Sequence, residues 1–140
     1  MMSLFSLIIR VLAAWLSVAV FAVANGTAGQ YLIRPWAGEY ANHLYKSLLI
    51  LPFMYLVFLW LWKSAGIEKW YGCAWSVGLF FLGLTALFEF GFGHYVAGHP
   101  WERLLADYRI DQGRLWVVVL LAGLFFPVLA AQHRAKKFPA

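Results

Sequence analysis

Four long apolar runs separated by short polar intervals leave this 140-residue chain few folds to choose from. The runs cover about 4–24, 46–63, 72–96 and 114–131, and each is near the roughly 20 residues a helix needs to cross a hydrocarbon core. Only 12% of the residues are charged, against about 25% in a soluble domain. A soluble core of this size has no room for eight Trp, seven Tyr and twelve Phe beside so many aliphatics without exposing large apolar patches. A bilayer removes that problem. The expected fold is an all-α membrane protein, with four transmembrane helices and a short interfacial helix between the third and fourth. Residues 1–140 form a single integral-membrane domain in this reading.

The formal charge of +5 does not point to nucleic acid. The basic residues are scattered at span ends, with no dense cluster beside base-stacking aromatics. Cys73 is the sole cysteine, so the chain holds no intrachain disulfide and no Cys-pair metal or redox motif. The lipid bilayer is the first partner implied, and a homo-oligomer or another membrane protein the next.

Arg10 lies within two turns of the start of the first run, close enough for its guanidinium to reach the headgroups. Ala13, Ala14 and Ser17 follow on nearly one face, where another helix can approach. Ala22-Val23-Ala24 has the small residues of a signal cleavage site, but a signal peptide places its charge ahead of the apolar run and not inside it. The first connection, Asn25 to Ser47, contains Gly26 and Gly29 as helix breakers, and Pro35 restricts the residue before it. From Trp36 a helix restarts with Glu39, His43 and Lys46 on one face. That face reads either as a solvated helix end between interfacial aromatics or as a functional Glu and His pair.

Pro52 is expected to kink the second span, tolerable in lipid if neighbours satisfy the freed carbonyl. Trp70, Tyr71 and Trp75 mark the next interface, and Gly72, Ser76 and Gly83 offer approach points on the third span. Glu89 is the anomaly. It lies about 10 Å of helical rise from the far end of that span, in a Phe-rich sequence, and a carboxylate there must be paired, protonated or wetted. Beyond Gly98, HPWERLLADY suits a short interfacial helix. Pro100 fits its first turn and Glu102 its positive end, with Trp101, Leu104, Leu105 and Tyr108 as the apolar stripe and Glu102, Arg103, Asp107 and Arg109 as the polar side.

Four crossings place both termini on one side. Six Lys or Arg fall there (Arg10, Lys63, Lys69, Arg134, Lys136, Lys137) against five opposite (Arg34, Lys46, Arg103, Arg109, Arg114), and the compact basic tail favours cytoplasmic termini. The topology gathers Arg34, Glu39, His43, Glu89, His94 and Arg114 near the outer face. Arg34, His43 and Arg114 are the expected partners of Glu89.

FEFGFGHYVAGHPWERLLADYRIDQGRLW resembles a stretch of small uncharacterised bacterial four-span inner-membrane proteins, which read FEF-x-FGHYV-x-G-x-x-W-x-x-LL-x-DYN and then GRLW. RPWAGEYANH is similar to their first connection. The two segments cover about a third of the chain, and Arg109 stands where the family pattern has Asn. The resemblance implies a fold and a bacterial inner-membrane setting, and lends no activity.

No cofactor is predicted. Glu39, His43, Glu89 and His94 are ligand types that suit a metal, and His43 with His94 would suit a haem, but no His-Glu-x-x-His pair supports either. A proton or small-solute transporter, or a membrane enzyme, would use Glu89 and His94. The favoured reading is an interaction or accessory protein whose polar cluster fastens its helices together.

Overall fold

The computed structural model describes residues 3–66 and 71–137. The expected anchor Trp70 and the cation Lys69 lie outside them, and of Tyr71 only the backbone is described. Among the described residues the chain is all-helical, without strands. Helix α1 spans Leu4–Ala28, a π-helical turn Gly29–Ile33, and α2 Arg34–Ala65. A 3-10 turn over Tyr71–Cys73 leads into α3, Ala74–Phe90, which a second π-helical segment extends over Gly91–Val96. A short helix α4, Trp101–Ala106, and a 3-10 turn, Ile110–Gln112, precede α5, Trp116–Lys137.

Three helical stretches are long and apolar enough to cross a membrane: Leu4–Ala65 with 62 residues, Ala74–Val96 with 23 and Trp116–Lys137 with 22. They are fewer and longer than the four separate spans expected. The first connection was expected to break at Gly26 and Gly29, yet the chain stays helical through both. At Gly29 a Cβ would collide with the Asn42 side chain, so this glycine serves close approach of α1 to α2. Pro35 sits in the first turn of α2, where no amide partner is needed. The break falls instead at Gly38, whose φ of 87° and ψ of 176° are non-helical and open only to glycine at low cost. Pro52 does not interrupt α2, whose only non-helical backbone is at Gly38.

The long stretch folds back on itself. The Asn25 side-chain amide donates to the Lys46 carbonyl at 3.0 Å, and Phe21 stacks on Phe53 with centroids 4.0 Å apart. Leu7, Val11, Ala14 and Val18 form the buried stripe of α1, at the spacing of one helix face. Of the three small residues expected to admit a neighbour, Ala14 alone is buried. Ser17 is exposed and its hydroxyl donates back to the Ala13 carbonyl at 2.8 Å.

Around the bundle α1 packs on α2, α2 on α5 and α5 on α3, whereas α1 touches α3 only sparsely. Trp62, fully buried on α2, donates its indole N–H to the Pro127 carbonyl of α5 at 2.8 Å. Phe58 meets Phe81 edge-on across the middle. The closest crossing of α3 and α5 is at Gly78, where a Cβ would strike the Leu124 backbone carbonyl. The expected approach points Gly72 and Gly83 have nothing within 4 Å of their Cβ directions, and Ser76 is exposed. All three were chosen for size, but azimuth about the helix decides which small residue faces a neighbour. At the thin seam between α1 and α3, the Trp15 indole reaches the Thr85 hydroxyl at 3.2 Å and packs edge-on against Phe88.

Gly78→Leu is expected to separate α3 from α5 and cost about 1–3 kcal/mol or more, whereas Gly83→Leu changes stability little. Thermal unfolding of both variants in one detergent checks the contrast.

Candidate functional site

The loop between α3 and α5 folds back over one end of the bundle, and glycines permit its path. Gly98 and Gly113 hold φ of 71° and 73°, values that side chains rarely adopt. Gly93 forms a notch for Leu104: a Cβ there would be 2.9 Å from a Leu104 methyl, and Leu104 is the buried residue of α4. Trp101 stacks on the His94 ring with centroids 4.0 Å apart, and His94 Nδ1 lies 2.9 Å from the His99 carbonyl. A carbonyl only accepts, so His94 carries its proton on Nδ1. His99 in turn faces the Arg103 guanidinium at 3.3 Å. Burial first, and that cation second, lower the His99 pKa and keep the ring neutral.

Glu89 is held by two neutral donors. The Tyr108 hydroxyl and the Trp116 indole N–H both donate to Oε2, at 2.6 and 2.5 Å. Neither donor comes from the expected set of Arg34, His43 and Arg114. Tyr108 was expected on the apolar stripe of the interfacial helix, but that helix ends at Ala106. The turn beyond it lays the Tyr108 ring on Phe90, with centroids 5.8 Å apart, and aims the hydroxyl inward. Burial, followed by the Glu89 carboxylate it donates to, pushes the Tyr108 phenol well above its ordinary pKa.

A second group lies beside the first. Arg114 Nη1 is 3.4 Å from Asp107 Oδ1. His43 is buried, and its Nε2 accepts the backbone N–H of Leu115 at 2.8 Å. An acceptor nitrogen has no proton, so His43 carries its hydrogen on Nδ1 and is neutral while that bond holds. Its Nδ1 is 3.7 Å from Asp107 Oδ1. That distance is beyond a hydrogen bond, and a neutral ring forms no ion pair, so Nδ1 has the Asp107 carboxylate as a neighbour but no hydrogen-bond partner in the protein.

The expected cluster is thus divided. Arg34 and Glu39 pair with each other at 2.8 Å, both substantially exposed. Glu39, His43 and Lys46 do not share a solvated face, since His43 is 1% exposed and Glu39 is exposed. Glu89 and His94 have separate partners. The expected polar side of the interfacial helix disperses as well, with Arg103 on His99, Arg109 on Asp111 and Asp107 on Arg114. Glu102 occupies the first turn of α4, as expected from the helix dipole. Among the described residues no three of His, Cys, Asp and Glu gather where they would hold a metal ion. A haem on His43 would have to displace its hydrogen bond with Leu115, whereas the bond to the His99 carbonyl uses only Nδ1 of His94.

Asn25, Asn42, Ser47 and Trp116 were not singled out from the sequence. Each is a polar group within or beside an apolar run, and Asn25, Asn42 and Ser47 are all at most 5% exposed. Asn25 Oδ1, Asn42 Oδ1 and Ser47 Oγ have no protein partner. Asn25 and Trp116, with His43, Glu89 and Asp107, border a cavity of about 250 Å³ that runs from the polar cluster down between α1 and α3, with walls from α2 and α5. Comparison with models of known families, with curated proteins and with solved structures gives no match to this chain.

Because the folded pKa of Tyr108 lies above its unfolded value, the stability it contributes is complete below about pH 10 and falls as pH rises from there toward the folded pKa. Tyrosinate absorbance during alkaline titration is expected to show one tyrosine ionising only with unfolding. Tyr108→Phe removes that late phase.

Proposed function

We propose that this chain is an interaction or accessory protein of the bacterial inner membrane that crosses the bilayer four times with both termini in the cytoplasm. The 62-residue helical stretch would be about 93 Å long if straight, roughly three times the hydrocarbon thickness. Its fold-back near Gly38 makes two antiparallel rods of it, each more than long enough to span. The basic end of α5, with Arg134, Lys136 and Lys137 in its last turn, supports cytoplasmic termini.

The observation that carries the functional reading is the pair of hydrogen bonds to Glu89. A group that passes protons along a route needs partners that exchange. Tyr108 and Trp116 instead supply an O–H and an N–H that stay protonated at neutral pH, one from the returning loop after α4 and one from the first residue of α5. Glu89 therefore acts as a clasp that fastens the loop and the start of α5 to α3, a use of buried polarity for specifying how helices pack. The protein then works by presenting a fixed shape within the membrane rather than by turning over a substrate.

Proteoliposomes loaded with a pH-sensitive dye test this reading. Under an imposed proton gradient they are expected to leak no faster than protein-free vesicles. Flux that disappears in Glu89→Gln while the protein stays folded would make Glu89 a proton carrier and contradict the clasp.

A further inference from the structure

The cavity beneath the loop has two unlike ends. Its lower wall is apolar, formed by side chains such as Val18, Ile50, Met54 and Phe81. Its volume of about 250 Å³ is equivalent to roughly eight waters. An apolar space of that kind is one water fills poorly and hydrocarbon fills well. The upper end holds two buried polar atoms with no protein partner, His43 Nδ1 and Asn25 Oδ1, on side chains that line the same space. Their chemistry is fixed. Leu115 takes the acceptor role of His43 Nε2, so Nδ1 presents a proton. The Asn25 amide nitrogen is spent on the Lys46 carbonyl, so Oδ1 presents lone pairs. The cavity thus offers one buried donor and one buried acceptor above a hydrocarbon-like wall.

Charge at the upper end is balanced. Lys46, Glu89 and Asp107 all border the space, and Arg114 neutralises Asp107 from behind. Neither an anionic nor a cationic head gains from that arrangement. Beside the cavity α1 barely meets α3, and Trp15 bridges to Thr85.

We propose that this cavity binds a single-chain lipid with a neutral, hydroxyl-bearing head, entering from the bilayer between α1 and α3. The hydroxyl accepts from His43 Nδ1 and donates to Asn25 Oδ1, removing two buried unsatisfied groups at once, and the first part of the chain lies along the apolar wall. The site rests on the four-crossing arrangement but not on Glu89 being a clasp, so it stands or falls separately from the proton-flux experiment.

The full chain in phospholipid nanodiscs, titrated with tritiated 1-monooleoylglycerol, tests the site. Saturable binding of one molecule per chain is expected above the partitioning into empty discs. Gly26 lines the cavity and a Cβ there meets no protein atom within 4 Å, so Gly26→Leu adds bulk at the upper end. It is expected to weaken binding at least tenfold while the thermal midpoint stays within a few degrees. Asn25→Leu is expected to weaken it similarly, and Gly26→Leu decides the matter if that variant does not fold. Unlabelled oleyl alcohol is expected to compete, and oleate and oleylamine to compete at least tenfold less well. Uptake no greater than in empty discs, binding unchanged in Gly26→Leu, or stronger competition from either charged amphiphile would overturn the proposal.

Discussion

A carboxylate in a helix built for lipid has to be met by donors, and the loop-covered end of this structure is arranged around meeting it. Left alone in a low-dielectric setting, the Glu89 anion would cost several kcal/mol. Two hydrogen bonds to a charged acceptor contribute about 1.5–3 kcal/mol each, enough to offset much of that cost. Both donors reach one oxygen, and they sit on either side of the returning loop, at Tyr108 and Trp116. Satisfying Glu89 therefore dictates where the loop ends and α5 begins. The same placement brings the Leu115 amide onto His43 and Arg114 onto Asp107, so the first contact organises the second group.

The bundle beneath is uneven for a reason that lies in its small residues. Gly78 lets α3 meet the backbone of α5, and Gly29 makes room for the Asn42 side chain of α2 at the end of α1. No such residue joins α1 to α3, where indole and hydroxyl meet across a wider gap. Without a hydrophobic drive between helices in lipid, close packing is what holds them, and the seam that lacks it is the natural place for the membrane to reach the interior. The cavity is lined along that seam by Trp15 and Thr85, while the buried core holds Phe58, Leu61, Trp62 and Phe81.

Hydropathy alone made the helical membrane class legible, because apolar runs of spanning length with little charge have few alternatives. The sequence also marked Glu89 as a residue that must have company, since its position along α3 follows from helical rise. The identity of that company was not legible. Arg34 and Arg114 were natural partners for a carboxylate, yet Arg34 finds Glu39 five residues on in its own chain segment, and Arg114 finds Asp107. The short loop helix ends two residues before its apolar stripe does, and the turn that follows is what makes Tyr108 a half-buried donor rather than a surface aromatic. Gly38 hid among better-known breakers: Gly26, Gly29, Pro35 and Pro52 all precede or follow it, and only the backbone shows which of them the chain uses. Asn25 and Ser47 escaped notice because a single amide or hydroxyl in an apolar run has no periodicity to reveal it.

The most direct measure of the clasp is a double-mutant cycle between Glu89 and Tyr108, with Glu89→Gln, Tyr108→Phe and the double variant unfolded reversibly in detergent. A hydrogen bond between them predicts a coupling of roughly 0.5–3 kcal/mol, the range for residues in direct contact. Strictly additive losses, with coupling indistinguishable from zero, would mean that Glu89 does not hold the loop, and the account of the outer cluster would be wrong.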